Sequence, residues 1–187
     1  KQINEPALET GSSIKNLTAL PWCSIDNDDS RDLDQLTACE VLPKGGIRIF
    51  VAVADVDALV KKGSAIDNHA RLNTTSVYTS ALIFPMLPEQ LCTDWTSLNQ
   101  DEDRLALVVE MVFSEDGVLM DSSIYRAWVR NKAQLAYDAV SAWIEGTGDL
   151  PEPARRVKGM HVQLRLQDEL AQKLRVLRRA EGSLEFE

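Results

Sequence analysis

The sequence predicts a mixed α/β (α+β) fold: a mixed or antiparallel sheet built from hairpins and packed against helices, including a long C-terminal one. Three observations carry this expectation. Two pairs of apolar, partly β-branched runs are each joined by a turn signal, Pro43-Lys44-Gly45-Gly46 and Ser114-Glu115-Asp116-Gly117. The run Val51 to Val56 is almost continuously apolar, as a central strand covered on both faces should be. From Ala133 onward, apolar residues recur at roughly helical spacing.

Residues 1–15, with Asn4, Pro6, Gly11, Ser12 and Ser13, read as a polar linker or interdomain segment, and 16–187 as one structural unit. The first hairpin pairs Thr37 to Leu42 with Ile47 to Val53. Asp55, at the end of that run, is expected to cap the strand end or to accept a buried hydrogen bond, in preference to any metal role. Ser64 is the expected N-cap of a short helix running to Leu72, with Asp67 completing a box-like pattern. His69, alone on that helix, reads as a surface or packing residue. Thr74 to Tyr78 reads as extended, and Pro85-Met86-Leu87-Pro88 excludes regular helix. The second hairpin joins Arg104 to Phe113 with Val118 to Val129; weak alternation there predicts cover on both faces. Trp128 and Trp143 are expected core anchors. One helix is expected over Ala133 to Glu145 and a long one over about Ala154 to Ala180, ended by Gly182. The basic residues of the long helix do not share one face, so a solvated surface is preferred over phosphate contact.

At 187 residues and 44% hydrophobic, the chain can bury a sizeable core. The net charge of -9 excludes a surface that attracts nucleic acid all over, though not an acidic site that binds it through cations. No apolar run reaches transmembrane length and no signal-peptide pattern opens the sequence, so no membrane partner is expected. Cys23, Cys39 and Cys92 are odd in number and widely spaced, which suits reduced thiols in a cytoplasmic protein.

The chemistry concentrates in Ile25 to Leu36. Asp26, Asp28, Asp29, Asp32 and Asp34 fall within nine positions, relieved only by Arg31. So many like charges resist burial unless neutralised. Leu20, Trp22, Ile25, Leu33 and Leu36 pin the loop into a core, which favours a metal site over a solvated fringe. An EF-hand would need Gly and Glu where Arg31 and Thr37 stand. Zinc would want Cys or His. Oxygen-only ligands suit magnesium or manganese, and hence phosphoryl transfer or phosphodiester cleavage.

Leu20-Pro21-Trp22-Cys23-Ser24-Ile25-Asp26, followed by Ser30-Arg31-Asp32-Leu33-Asp34, resembles the ribonuclease II (RNB) family of exoribonucleases. Further blocks follow in the family's order: Val51 to Val56 with Gly63 to Asp67, Thr75 to Tyr78 with Ile83 to Pro88, Ser97-Leu98-Asn99, and Asp103 to Leu107. Gly182 to Glu187 resembles the segment after the long helix. The resemblance implies the N-terminal part of a catalytic RNB domain over 16–187, one that degrades single-stranded RNA from its 3′ end to nucleoside 5′-monophosphates with Mg2+, Mn2+ being the alternative ion. It implies that Asp26 and Asp34 bind metal directly or through water, that Asp32 completes or orients the shell, and that Tyr78 stacks on a base near the RNA 3′ end.

Two departures qualify this. The family's fourth aspartate is Gln35 here, an uncharged and weaker ligand. Activity with a higher metal requirement, substitution by Asp28 or Asp29, or a crippled centre are all open. The sequence also stops about half-way through an RNB domain, without the later Arg and Glu or the flanking OB-type domains. The expected partners are therefore single-stranded RNA and the rest of the RNB domain, in the form of a second chain or a continuation. The alternative function is a weak or silent RNB relative that binds RNA and regulates its turnover. A blander one, an acidic domain stabilised by a cation, leaves the ordered blocks unexplained.

Overall fold

The computed structural model describes residues 14–43, 45–180 and 182. The linker expectation for residues 1–13, Lys44 of the first turn and the family segment after Gly182 lie outside them.

Among the described residues nine strands appear in chain order: β1 (Lys15–Asn16), β2 (Cys23–Asp26), β3 (Gln35–Val41), β4 (Ile47–Ala54), β5 (Val77–Tyr78), β6 (Ile83–Phe84), β7 (Asp103–Phe113), β8 (Leu119–Arg130) and β9 (Ala133–Ala136). Helices α1 (Ala65–Asn73), α2 (Tyr137–Ile144), α3 (Glu152–Arg156) and α4 (Met160–Ala180) complete the fold. Seven strands form one sheet, ordered β1-β8-β7-β4-β3-β2-β9, while β5 and β6 form a separate hairpin. The sheet is antiparallel at its centre and parallel at both edges, where β1 joins β8 and β2 joins β9.

The two long hairpins form as their turns dictate. β3 pairs with β4 from Gln35↔Val53 to Val41↔Ile47. Gly46 has φ +81°, and a Cβ there would lie 2.4 Å from the Phe113 carbonyl oxygen, so only glycine lets this turn approach the end of β7. β7 and β8 pair across Ser114–Val118.

One sheet face buries Leu36, Ala38, Phe50, Ala52, Ala106, Val108, Ala127 and Val129 against Trp22, Leu33 and Leu98. Trp22, fully buried and edge-on to Phe50 at 6.0 Å, anchors this core. The other face carries Cys39, Ile49 and Phe113, covered by Leu170 of α4 with Leu166 and Leu174 beside it. A third cluster joins Cys23, Ala133 and Leu135 to Val140, Ala154, Met160 and Leu164 of the helices.

Several expectations are corrected. Ala133–Ala136 is a strand, not the start of a helix: Ala133 and Leu135 alternate inward, and pairing with β2 satisfies an edge that a helix would leave bare. The long helix is divided, with α3 ending at Arg156 and Gly159 at φ +81° before α4. β4 is covered on both faces only in part, because Val53 is 43% exposed. The first half of β8 is exposed throughout, so cover on both faces fails there as well. Trp128 and Trp143 are only half-buried, although Trp143 does pack against the third cluster and Arg165 lies over its ring at 4.5 Å. Thr74 is left-handed at φ 62°, so the extended segment begins later, at Val77.

Other local readings hold. Ser64 caps α1, its hydroxyl accepting from the Asp67 N–H at 3.2 Å, and Asp67 accepts from the Gly63 N–H at 2.7 Å. Asp55 caps the 3₁₀ turn Val56–Ala58 and pairs with Arg126 at 2.7 Å. His69 is exposed and bonds Asn73 within α1. No helix among the described residues is long and apolar enough to cross a membrane.

Candidate functional site

The site is built where β2 ends. Asp26 is the last residue of β2, opposite Ala136 of β9, and its Oδ1 accepts the Asn27 N–H at 2.8 Å. The chain then turns, the Ser30 N–H donating to the Asn27 carbonyl at 3.2 Å, and leaves Asp28 and Asp29 exposed. From Asp32 it runs extended into β3. Leu33 is buried while Asp32 is half-buried and Asp34 more open to solvent, so the carboxylates flank an inward leucine. This alternation is what an extended segment with one apolar residue between two charged ones must adopt. The Ala54 N–H donates to the Asp34 carbonyl at 2.9 Å, docking the loop's end onto β4.

The three carboxylates feel one another. Partial burial raises the Asp34 carboxyl above the ordinary range, and the charges of Asp32 and Asp26 raise it further. Burial and then the Asp26 charge do the same to Asp32, opposed by a hydrogen bond from the Tyr78 side chain. Tyr78 comes from the β5–β6 hairpin and is 67% exposed. Partial burial followed by the charges of Asp32 and Asp34 raises its phenol in turn. Cys92, in the π-helical turn Leu91–Trp95, also borders the group; burial and then the Asp32 charge push its thiol up. The structure thus brings Asp26, Asp32, Asp34 and Tyr78 into one electrostatic neighbourhood, with Asp28 and Asp29 in the turn. Gln35, the first residue of β3, is exposed beside them.

The loop's backbone is held from a distant segment that the sequence reading named as a block without assigning it a role. Ser97 is 1% exposed, and its hydroxyl accepts from the Leu33 N–H at 3.0 Å. The same oxygen lies 3.2 Å from the Arg31 carbonyl and 3.1 Å from Asn99 Oδ1, the acceptors for its single proton. The Leu98 N–H donates to the Leu33 carbonyl at 2.8 Å. Asn131, also 1% exposed, donates to Leu98 and to Ser24 of β2, each at 3.0 Å. Arg104 holds the Ser97 carbonyl at 3.2 Å. A buried serine and a buried asparagine, each bonded across long sequence separations, leave no periodic signal, so their hold on the loop is visible only in three dimensions.

As a donor set, Asp26, Asp32 and Asp34 offer oxygen only and carry excess negative charge, which on top of burial raises the pKa of Asp32 and Asp34. That is the chemistry a hard divalent cation neutralises. As the side chains stand, no three His, Cys, Asp or Glu among the described residues converge as ligands of one ion.

The model of the RNB domain matches residues 14–187. This chain belongs to the RNB domain family. Its similarity to ribonuclease R of Vibrio cholerae is 38% identity over 172 residues, 92% of this chain and 21% of that protein. To exoribonuclease 2 of Escherichia coli (O1:K1 / APEC) it is 37% over 143 residues, 76% and 22% respectively. Among solved structures, Mycoplasma genitalium RNase R in complex with double-stranded RNA superposes with a TM-score of 0.85 at 28% identity, covering 93% of this chain and 30% of that one. The chain spans about a fifth of the length of those curated relatives. The mixed sheet with its flanking helices is therefore an RNB architecture, and the aspartate loop sits at the end of its second strand.

Proposed function

We propose that this RNB domain forms part of the centre of a 3′→5′ exoribonuclease that hydrolyses single-stranded RNA to nucleoside 5′-monophosphates. One observation carries the reading: in a chain of the RNB family, Asp26 ends β2 while Asp32 and Asp34 follow in the loop into β3, on either side of the buried Leu33. Asp26 and Asp34 are the residues to hold a divalent cation, magnesium or manganese, with Asp32 completing or orienting the shell. Such an ion would supply charge neutralisation at a scissile phosphate and would lower the pKa of a bound water, making hydroxide available as the nucleophile. Leu33, locked between Asp32 and Asp34, keeps both carboxylates on the solvent side. Tyr78, exposed on a separate hairpin, offers a ring on which any base can stack, which suits an enzyme that takes every nucleotide in turn. The rest of the catalytic domain, in this polypeptide or a second one, supplies the remaining groups. The three free thiols fit a reducing, cytoplasmic setting.

Gln35 favours a second reading, a weak or silent relative that binds RNA and regulates its turnover, because an amide adds no charge where a fourth carboxylate would. Gln35→Asp separates the two: a large gain in rate marks the native site as weak by composition.

The test uses the complete protein and a single-stranded RNA labelled at its 5′ end, with magnesium or manganese titrated. A descending ladder ending in a short labelled core, absent from Asp34→Asn, is expected. RNA binding with no cleavage at any metal concentration would assign the domain to the second reading.

A further inference from the structure

We infer that Ser97 is a positioning residue for the Asp32 carboxylate, setting how well the aspartate loop holds its cation; this rests on the metal reading above. Asp32 lies between two peptide units. The carbonyl of the first, at Arg31, and the N–H of the second, at Leu33, both meet the Ser97 hydroxyl, at 3.2 and 3.0 Å. One oxygen atom thus spans both peptides around the Asp32 Cα and restricts the two backbone dihedrals that aim its side chain. The Leu98 N–H on the Leu33 carbonyl adds a second rung at 2.8 Å.

The anchor is itself rigid. Ser97 is 1% exposed, Thr96 closes the preceding turn through its hydroxyl on the Leu91 carbonyl at 2.8 Å, and Arg104 fixes the Ser97 carbonyl. Substitution of Ser97 by Ala would strand the N–H of Leu33, a residue 1% exposed, and free the loop to turn Asp32. Groups that orient metal ligands through hydrogen bonds typically govern affinity by about 10- to 100-fold when removed.

The experiment is Mn2+ binding to the complete protein, followed by electron paramagnetic resonance, beside thermal unfolding of the metal-free protein. Ser97→Ala is expected to weaken Mn2+ binding by on the order of tenfold. Leu170→Ala, which opens the separate core cluster beneath α4 without touching the aspartate loop or the Ser97 anchor, is expected to lower Tm but leave Mn2+ affinity unchanged. Equal Mn2+ affinity in wild type and Ser97→Ala would overturn the inference, as would an equal loss in both variants. Wild-type protein with no Mn2+ binding sensitive to Asp34→Asn would instead overturn the metal reading, and the inference with it.

Discussion

The aspartate loop and the β5–β6 hairpin meet at one site but are held by opposite means. The loop is welded to the largest core. Leu33 sits in a cluster of eleven buried residues, and both its peptide N–H and its carbonyl are bonded to the Ser97–Leu98 segment. The hairpin has two residues per strand, and Val77, Tyr78, Leu82, Ile83 and Phe84 are all at least half exposed. It rises from a much smaller cluster whose buried members are Val60, Leu87 and Leu91. Carboxylates that share an ion must keep their spacing, whereas a ring that accepts every base must adapt. The fold assigns density to the first task and exposure to the second.

If that contrast is real, the largest effect comes from loosening the loop. Leu33→Ala is expected to cost about 2–5 kcal/mol of stability by denaturant titration, because the side chain is fully enclosed, and to abolish metal-dependent cleavage as well. A variant with normal stability would show the loop to be less embedded than drawn. Smaller is Tyr78→Ala on the exposed arm. It is expected to weaken RNA binding by about 1–3 kcal/mol, roughly 5- to 150-fold, with Tm unchanged. A lowered Tm would mean that Tyr78 supports the fold.

The smallest effect is electrostatic. Asp32 and Asp34 have folded pKa values above the ordinary carboxylate value of 3.8, so the folded state holds protons more tightly than the unfolded one. Their contribution to metal-free stability is therefore favourable at low pH and is lost as pH rises from 3.8 through the raised values. At neutral pH, Asp34→Asn should slightly raise the metal-free Tm, and added magnesium should raise the wild-type Tm more than the variant's. A lowered metal-free Tm in Asp34→Asn would contradict the mutual repulsion.

Much of this architecture was legible in the sequence because it rests on local rules. The Gly45-Gly46 and Asp116-Gly117 turns fixed two hairpins, Ser64 fixed the start of α1, and the aspartates announced themselves by chemistry, whereas Tyr78 was marked only by the family resemblance. What escaped depends on distant partners. Ala133–Ala136 looks helical by spacing, yet β2 needs a neighbour there. Gly159 interrupts a pattern that continues on both sides of it. β8 carries Leu119, Met120 and Ile124, which read as buried but stand exposed. Ser97, Asn131 and Cys92 reach the site from residues far along the chain; the block Ser97-Leu98-Asn99 was recognisable, but its hold on the loop was not, and nothing marked Asn131 or Cys92.

The most direct test compares binding and cleavage of one single-stranded RNA by the complete protein, wild type and Asp34→Asn, in magnesium. The account predicts a drop in cleavage of about 10³-fold with RNA binding retained, since the carboxylate holds the cation that faces the reacting phosphate and the hairpin still holds the strand. Cleavage by Asp34→Asn at the wild-type rate would contradict it and move the chemistry away from the aspartate loop.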